Sequence, residues 1–186
     1  GQSIFNLALC SLYLANIGSL IWARFFFFKI KSKVSRRISY LNDPAVAVQI
    51  IFTCYYFYTG EVSVIAALCC ALLYATSLAL FWWSIKTAGK LDFAAGSNPG
   101  SLLTKGPYAI ARHPFYLSYS AIWITSTLLW NDLTLWVSLT VLLYIYVSSA
   151  KAEENEILQS VLSNEYIEYK KTTGMFWPKF SKHVGN

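Results

Sequence analysis

At 186 residues, 56% of them hydrophobic and only 13% charged, the chain lacks the charged quarter with which a water-soluble domain covers its surface. Its mean hydropathy is +0.45, a balance that fits lipid as the main solvent. The formal charge of +6 does not point to nucleic acid, because Lys and Arg fall between apolar runs, where lipid head groups and membrane orientation account for them.

Five apolar stretches follow one another, each set against the roughly 20 residues that a spanning helix requires. The first covers about 3–27. No basic region precedes it and no small-residue cleavage site follows, so it reads as a span rather than a signal peptide. A basic stretch comes next (Lys29, Lys31, Lys33, Arg36, Arg37). The second span, about 42–59, opens near Pro44, a residue suited to a first helical turn, and ends in Tyr55, Tyr56, Phe57 and Tyr58. The third, about 62–85, carries Trp82 and Trp83 as interfacial anchors. A loop over 86–112, rich in Gly, Ser and Asn, leads to spans at about 113–131 and 133–150. The links Thr59-Gly60-Glu61 and Asn131-Asp132 make hairpins of the second span with the third and of the fourth with the fifth. The tail, 151–186, has Ile157, Leu158, Val161, Leu162 and Tyr166 at helical spacing, so a C-terminal amphipathic helix is expected, with Glu153, Glu154 and Glu156 in its first turn and its end near Gly174.

Charge sets the orientation. All 15 Lys and Arg lie in three regions: Arg24 to Arg37, Lys86 to Arg112, and from Lys151 onward. With five spans these share one side, and the other side carries only Glu61 and Asp132. The positive-inside rule makes the basic side cytoplasmic, with the N-terminus outside and the C-terminus inside. The expected protein is thus a single all-α integral membrane domain over 1–186, with a cytoplasmic loop and tail. Its four cysteines (Cys10, Cys54, Cys69, Cys70) stand in apolar stretches without ligand spacing and read as small buried hydrophobes, with no metal site expected.

Candidate chemistry gathers on the basic side. Gly106-Pro107-Tyr108-Ala109-Ile110-Ala111-Arg112-His113-Pro114-Phe115-Tyr116 runs straight into the fourth span. Free N–H groups at that helix start, beside a cation, suit a carboxylate or phosphate. On the residues alone, Arg112 and His113 read rather as a membrane boundary, and the three acids as a solvated first turn.

This segment, the helical hairpin after it, and then the acidic residues and Glu165-Tyr166-Ile167-Glu168-Tyr169 together resemble the isoprenylcysteine carboxyl methyltransferase family, whose signature related phospholipid N-methyltransferases share. The resemblance covers roughly residues 100–178. It implies S-adenosylmethionine as cofactor, with S-adenosylhomocysteine as product. By position it implies cofactor contacts from Ser101, Leu102, Leu103, Tyr108, His113, Pro114, Phe115 and Tyr116. Glu154 matches the family's acceptor-contacting Glu. The Arg that accompanies that Glu is Ala150 here, with Lys151 next to it. The second Glu of the family's pair is Asn155, and a loop His of some relatives is Gly100. Without the Arg, a carboxylate acceptor lacks its charge partner.

The expectation is therefore methyl transfer from S-adenosylmethionine to a lipophilic or membrane-partitioned acceptor through a carboxylate, thiol or hydroxyl, with Glu154 as the catalytic residue on the cytoplasmic face. Two alternatives stand beside it: methylation of a phospholipid amine, and a non-catalytic binding module that keeps the fold. Membrane lipids are the expected surroundings, and no nucleic-acid partner is expected.

Overall fold

The computed structural model describes residues 4–28, 33–89 and 102–179, with backbone alone over 33–40. Ser101, Lys29, Lys31, Gly100 and His183 lie outside the described residues. Among the described residues six α-helices follow in order: α1 (Ile4–Trp22), α2 (Lys33–Thr59), α3 (Val64–Gly89), α4 (Pro114–Trp130), α5 (Leu133–Leu158) and α6 (Ser163–Thr172). A π-helical turn, Ala23–Phe27, extends α1, and a 3-10 turn, Gly106–Ala109, precedes α4.

Among the described residues, three helical segments are by length and composition apolar enough to cross a membrane: Ile4–Phe27, Val64–Gly89 and Leu133–Leu158. Their faces away from the bundle carry exposed apolar side chains such as Ile65, Leu72 and Val137, which is what lipid solvates. α4 has 17 residues and is about 25 Å long at 1.5 Å per residue.

Helix α3 lies along both α1 and α4, α2 lies along α5, and α4 also touches α5. The common core holds Leu9, Tyr13, Phe57, Tyr74, Ile122, Trp123 and Leu142. Buried polar groups tie helices across it. The Gln49 amide of α2 donates to Ser138 Oγ at 2.9 Å and to the Leu135 carbonyl at 3.0 Å, both in α5. Asn16 of α1 donates to the Tyr74 carbonyl of α3 at 3.1 Å, and the Tyr74 hydroxyl meets Ser126 Oγ of α4 at 2.6 Å. In an apolar interior a polar donor gains most by finding such a partner, so each tie also fixes register.

Three boundaries differ from the sequence reading. α3 runs to Gly89, past the expected end near 85. α2 starts at Lys33 and carries Pro44 inside it, because a proline removes one N–H and the turns on either side keep their own bonds. α5 continues past 150 to Leu158, so Glu153, Glu154 and Glu156 ride on its last turns rather than opening a separate helix. Ala150, Lys151, Ala152, Glu153 and Glu154 are all strong helix formers, and nothing among them stops the rod. The break comes at 159–162, and it splits the expected tail stripe. Tyr166 is buried on α6, while Val161 in the break is 87% exposed. Among the cysteines, Cys70 is buried, Cys10 and Cys54 are half-buried, and Cys69 is exposed on the outer side of α3.

Candidate active site

The site forms where the start of α4 meets the end of α5. Gly106 opens the approach with φ +62°, a left-handed conformation that glycine adopts without steric cost. Tyr108, in the turn that follows, is buried, and its carbonyl accepts a short hydrogen bond from the Tyr169 hydroxyl of α6. Burial pushes the Tyr108 and Tyr169 phenols above their usual range, so both stay protonated donors. Pro114 occupies the first position of α4, where a missing N–H costs no helical bond.

Arg112 is the centre of the arrangement. Its Nη2 lies 2.9 Å from Glu154 Oε1 and 3.3 Å from Oε2, and its Nε lies 3.2 Å from Oε1. Nη1 donates to the Thr173 carbonyl at 2.6 Å. Both side chains are withdrawn from solvent, at 6% and 5% exposure. Lys170 Nζ stands 4.0 Å from Oε2 of the Glu154 carboxylate.

His113 lies between two acids. Its Nε2 is 3.3 Å from Glu154 Oε1 and its Nδ1 is 3.5 Å from Glu153 Oε2. The Tyr116 hydroxyl donates to Glu153 Oε1 at 2.6 Å, and its ring stacks against the imidazole at 5.8 Å. Glu153 differs from its neighbour in setting, since its side chain is 53% exposed. Consecutive helix positions point about 100° apart, which puts one acid inside and the other at the mouth.

The chain after α6 folds back over this place. Thr173 and Pro178 pair in an antiparallel bridge. Between them, the Gly174 and Met175 carbonyls accept the Arg112 and His113 N–H groups at 2.9 and 3.1 Å. Those two N–H groups are therefore engaged by backbone, which leaves the first-turn N–H groups of α4 itself, at Phe115 and Tyr116, as the helix-start donors that the sequence pointed to. The Phe176 ring lies 6.2 Å from the imidazole. At Gly174 a Cβ would come within 2.2 Å of the Trp177 carbonyl oxygen, so this turn requires glycine.

The residues singled out from sequence fall into two groups. His113, Tyr116 and Glu154 meet in the cluster just described. Leu103 and Tyr108 are buried against Ala88 of α3 with Phe115 beside them. Phe115 also sits edge-on to Phe28 at 4.9 Å, so it faces away from the acids. Pro114 is buried at the helix start. Leu102 lines an open cleft of about 370 Å³ with Thr104, Glu165, Glu168, Tyr169 and Thr172. Sequence reasoning did not find the partner of Arg112, the role of the 173–178 fold-back, or the pairing of Glu153 with Tyr116. Only the presence of a lone Arg just ahead of a span gave a signal, since a buried Arg must have a counter-charge.

A helical bundle with apolar outer faces is the build of a membrane protein, and one end of it gathers carboxylate, imidazole and phenol groups. The family model for phospholipid methyltransferase matches residues 64–165, more than half of the chain and the whole of α3 to α5 with the approach between them. The chain belongs to the phospholipid methyltransferase family. This bears out the resemblance read from residues 106–116 and the acids of α5, and it makes the protein a methyltransferase. No curated protein and no solved structure matches the chain.

Proposed function

We propose that this protein transfers a methyl group from S-adenosylmethionine to the head-group amine of a membrane phospholipid, at the cytoplasmic ends of α4 and α5. The observation that carries this reading is the charge balance of the cluster. Arg112 and Glu154 neutralise one another in a buried pair. Glu153 then remains at the mouth, faced among the described residues by an imidazole and a phenol but by no Lys or Arg. Such a site attracts cations. An amine head group is one, whereas a carboxylate acceptor would meet Glu153 and find Ala150 where its cationic partner should be. The family match also favours a phospholipid acceptor over a thiol or hydroxyl.

The donor set fits the cofactor's chemistry. Aromatic faces and a carboxylate suit a sulfonium, apolar side chains suit an adenine, and carboxylates suit a ribose diol. His113, Tyr116, Phe115, Pro114, Leu103 and Tyr108 would hold it, with Leu102, Glu165 and Glu168 along the cleft and Ser101 outside the described residues. Bound there, S-adenosylmethionine supplies an electrophilic methyl group and leaves as S-adenosylhomocysteine. The chain's own part is to align the acceptor and exclude water.

We read α2 and α4 as spans beside the three apolar helices, which makes a five-span, single-domain protein. Its basic loop and tail then share the cytoplasmic side, and the acceptor enters laterally from the bilayer.

The test is transfer of radiolabelled methyl by the purified protein in nanodiscs containing phosphatidylethanolamine. Label recovered in methylated ethanolamine head groups is the expected result. Label in a base-labile ester, or in no lipid at all, would sink the reading.

A further inference from the structure

We infer that Glu153, rather than Glu154, accepts the proton that the acceptor amine must lose, and that Glu154 is a positioning residue; this rests on the phospholipid-amine reading above. A head-group amine is an ammonium at neutral pH and has no lone pair with which to attack a methyl carbon. Its N–H bond has to break, with the electron pair left on nitrogen and the proton passing to a base.

Glu154 is poorly placed for that step. Its two oxygens are held by Arg112 at 2.9 to 3.3 Å, by His113 at 3.3 Å and by Lys170 at 4.0 Å. Protonating it would strand a buried guanidinium without its counter-charge. Its geometry suits holding the scaffold instead, since Glu154 fixes Arg112, and Arg112 in turn fixes Thr173.

Glu153 has the complementary properties. Tyr116 occupies Oε1, while among the described residues Oε2 has the more distant His113 Nδ1 at 3.5 Å. Half exposure at the mouth lets an acceptor approach from the bilayer edge, and it lets the new O–H give its proton on to water after each turnover. The titratable groups around Glu153 from the facing elements are His113, Tyr116 and Tyr119 of α4 and Tyr108 of the preceding turn. Each can donate or share a hydrogen bond, and none brings the permanent charge that would lock the carboxylate. On the product side the nitrogen again carries a positive charge, which the same carboxylate can face.

The experiment uses the full chain in nanodiscs, with S-adenosylmethionine and phosphatidylethanolamine as probes and Glu153→Gln, Glu153→Asp and Glu154→Gln as variants. General-base loss predicts a kcat for Glu153→Gln lower by about 100-fold or more, with S-adenosylhomocysteine affinity by calorimetry unchanged within about threefold. The deficit should narrow at alkaline pH, where the free amine forms without help. Glu153→Asp, which keeps the charge, should retain more kcat than Glu153→Gln. Without any methyl donor, Glu153→Gln should also lose the preference for short-chain phosphatidylethanolamine over phosphatidylglycerol in binding. Wild-type kcat in Glu153→Gln, or a deficit equal at every pH, overturns the inference while the amine reading stands. A wild-type protein that methylates no amine lipid overturns both.

Discussion

Arg112 and Glu154 stand 42 positions apart in the chain and meet side-on at 2.9 Å, both almost fully withdrawn from solvent. The pair closes the junction between α4 and α5, and through the Thr173 carbonyl it also holds the fold-back after α6. Replacing Arg112 with Ala leaves a buried carboxylate uncompensated and should cost about 3–5 kcal/mol. Thermal unfolding in detergent will read this directly. The double change Arg112→Met with Glu154→Met should recover much of the stability but not the activity, which separates folding from function.

Gly174 gives a sharper test of the fold-back. A methyl group there collides with the Trp177 carbonyl, so Gly174→Ala should open the turn and release the Arg112 and His113 N–H groups. Two buried donors left unpaired cost roughly 1–3 kcal/mol each. Limited proteolysis should then cut within 173–179 much faster than in the wild type, and S-adenosylhomocysteine affinity should fall with it.

Within the bundle, Gln49→Leu removes the amide that joins α2 to α5. Intramembrane hydrogen bonds of this kind contribute about 0.6–1.7 kcal/mol. A loss in that range by denaturant titration in mixed micelles is expected, with activity retained in the folded fraction. A neutral effect would mean that the unfolded helices find equal partners.

At the other end of the molecule, Tyr56 donates to Asp132 at 2.6 Å, while Asp132 caps α5 by accepting from the Thr134 N–H at 2.8 Å. The Tyr56 hydroxyl, with the backbone donors, holds the Asp132 carboxyl below its ordinary value of 3.8. A carboxyl depressed by folding contributes stability that is present above its unfolded value and is lost as pH falls through the folded one. Melting temperature should therefore drop on acidification below about pH 4, and part of that drop should vanish in Tyr56→Phe. An identical acid profile in the variant would remove the Tyr56 bond as its cause.

The five-span reading places Glu61 and Asp132 on the side opposite all Lys and Arg. Cysteines introduced at these two positions, in a background where Cys10, Cys54, Cys69 and Cys70 are Ser, should react with a membrane-impermeant maleimide from outside intact cells. A cysteine at Lys171 should not. Labelling of all three, or of Lys171 alone, would require a different orientation.

Much of this was readable from residue order. The hairpin links and the turn-forming motif at 106–116 follow from local chemistry, because Pro, Gly and short polar links act on their own neighbours, whereas Glu154 was singled out by the family resemblance and was expected on a separate helix. What was not readable is long-range. Nothing near Arg112 says that its counter-charge is Glu154 rather than one of the other acids, since helix register across α4 and α5 decides it. The length of α5 escapes a reading that ends the fifth span where the membrane ends, because Ala, Lys and Glu continue a helix into water as readily as in lipid. The fold-back at 173–178 is held by backbone carbonyls, which leave no mark on side-chain identity except the one glycine.

The unbroken course of α5 has a consequence for where the enzyme works. From the Asp132 cap to Glu153 the helix climbs about 32 Å at 1.5 Å per residue, nearly the roughly 30 Å depth of a bilayer's hydrocarbon. On the proposed five-span topology the rod acts as a ruler, setting the height of the proposed base against the far leaflet's surface. In thicker bilayers Glu153 would be drawn down among acyl chains, and in thinner ones lifted clear of the amines. Turnover measured across vesicles of graded acyl length should pass through a maximum, and a flat response would mean that tilt absorbs the mismatch. The lipid surroundings would then help set the geometry of the reaction as well as supply its substrate.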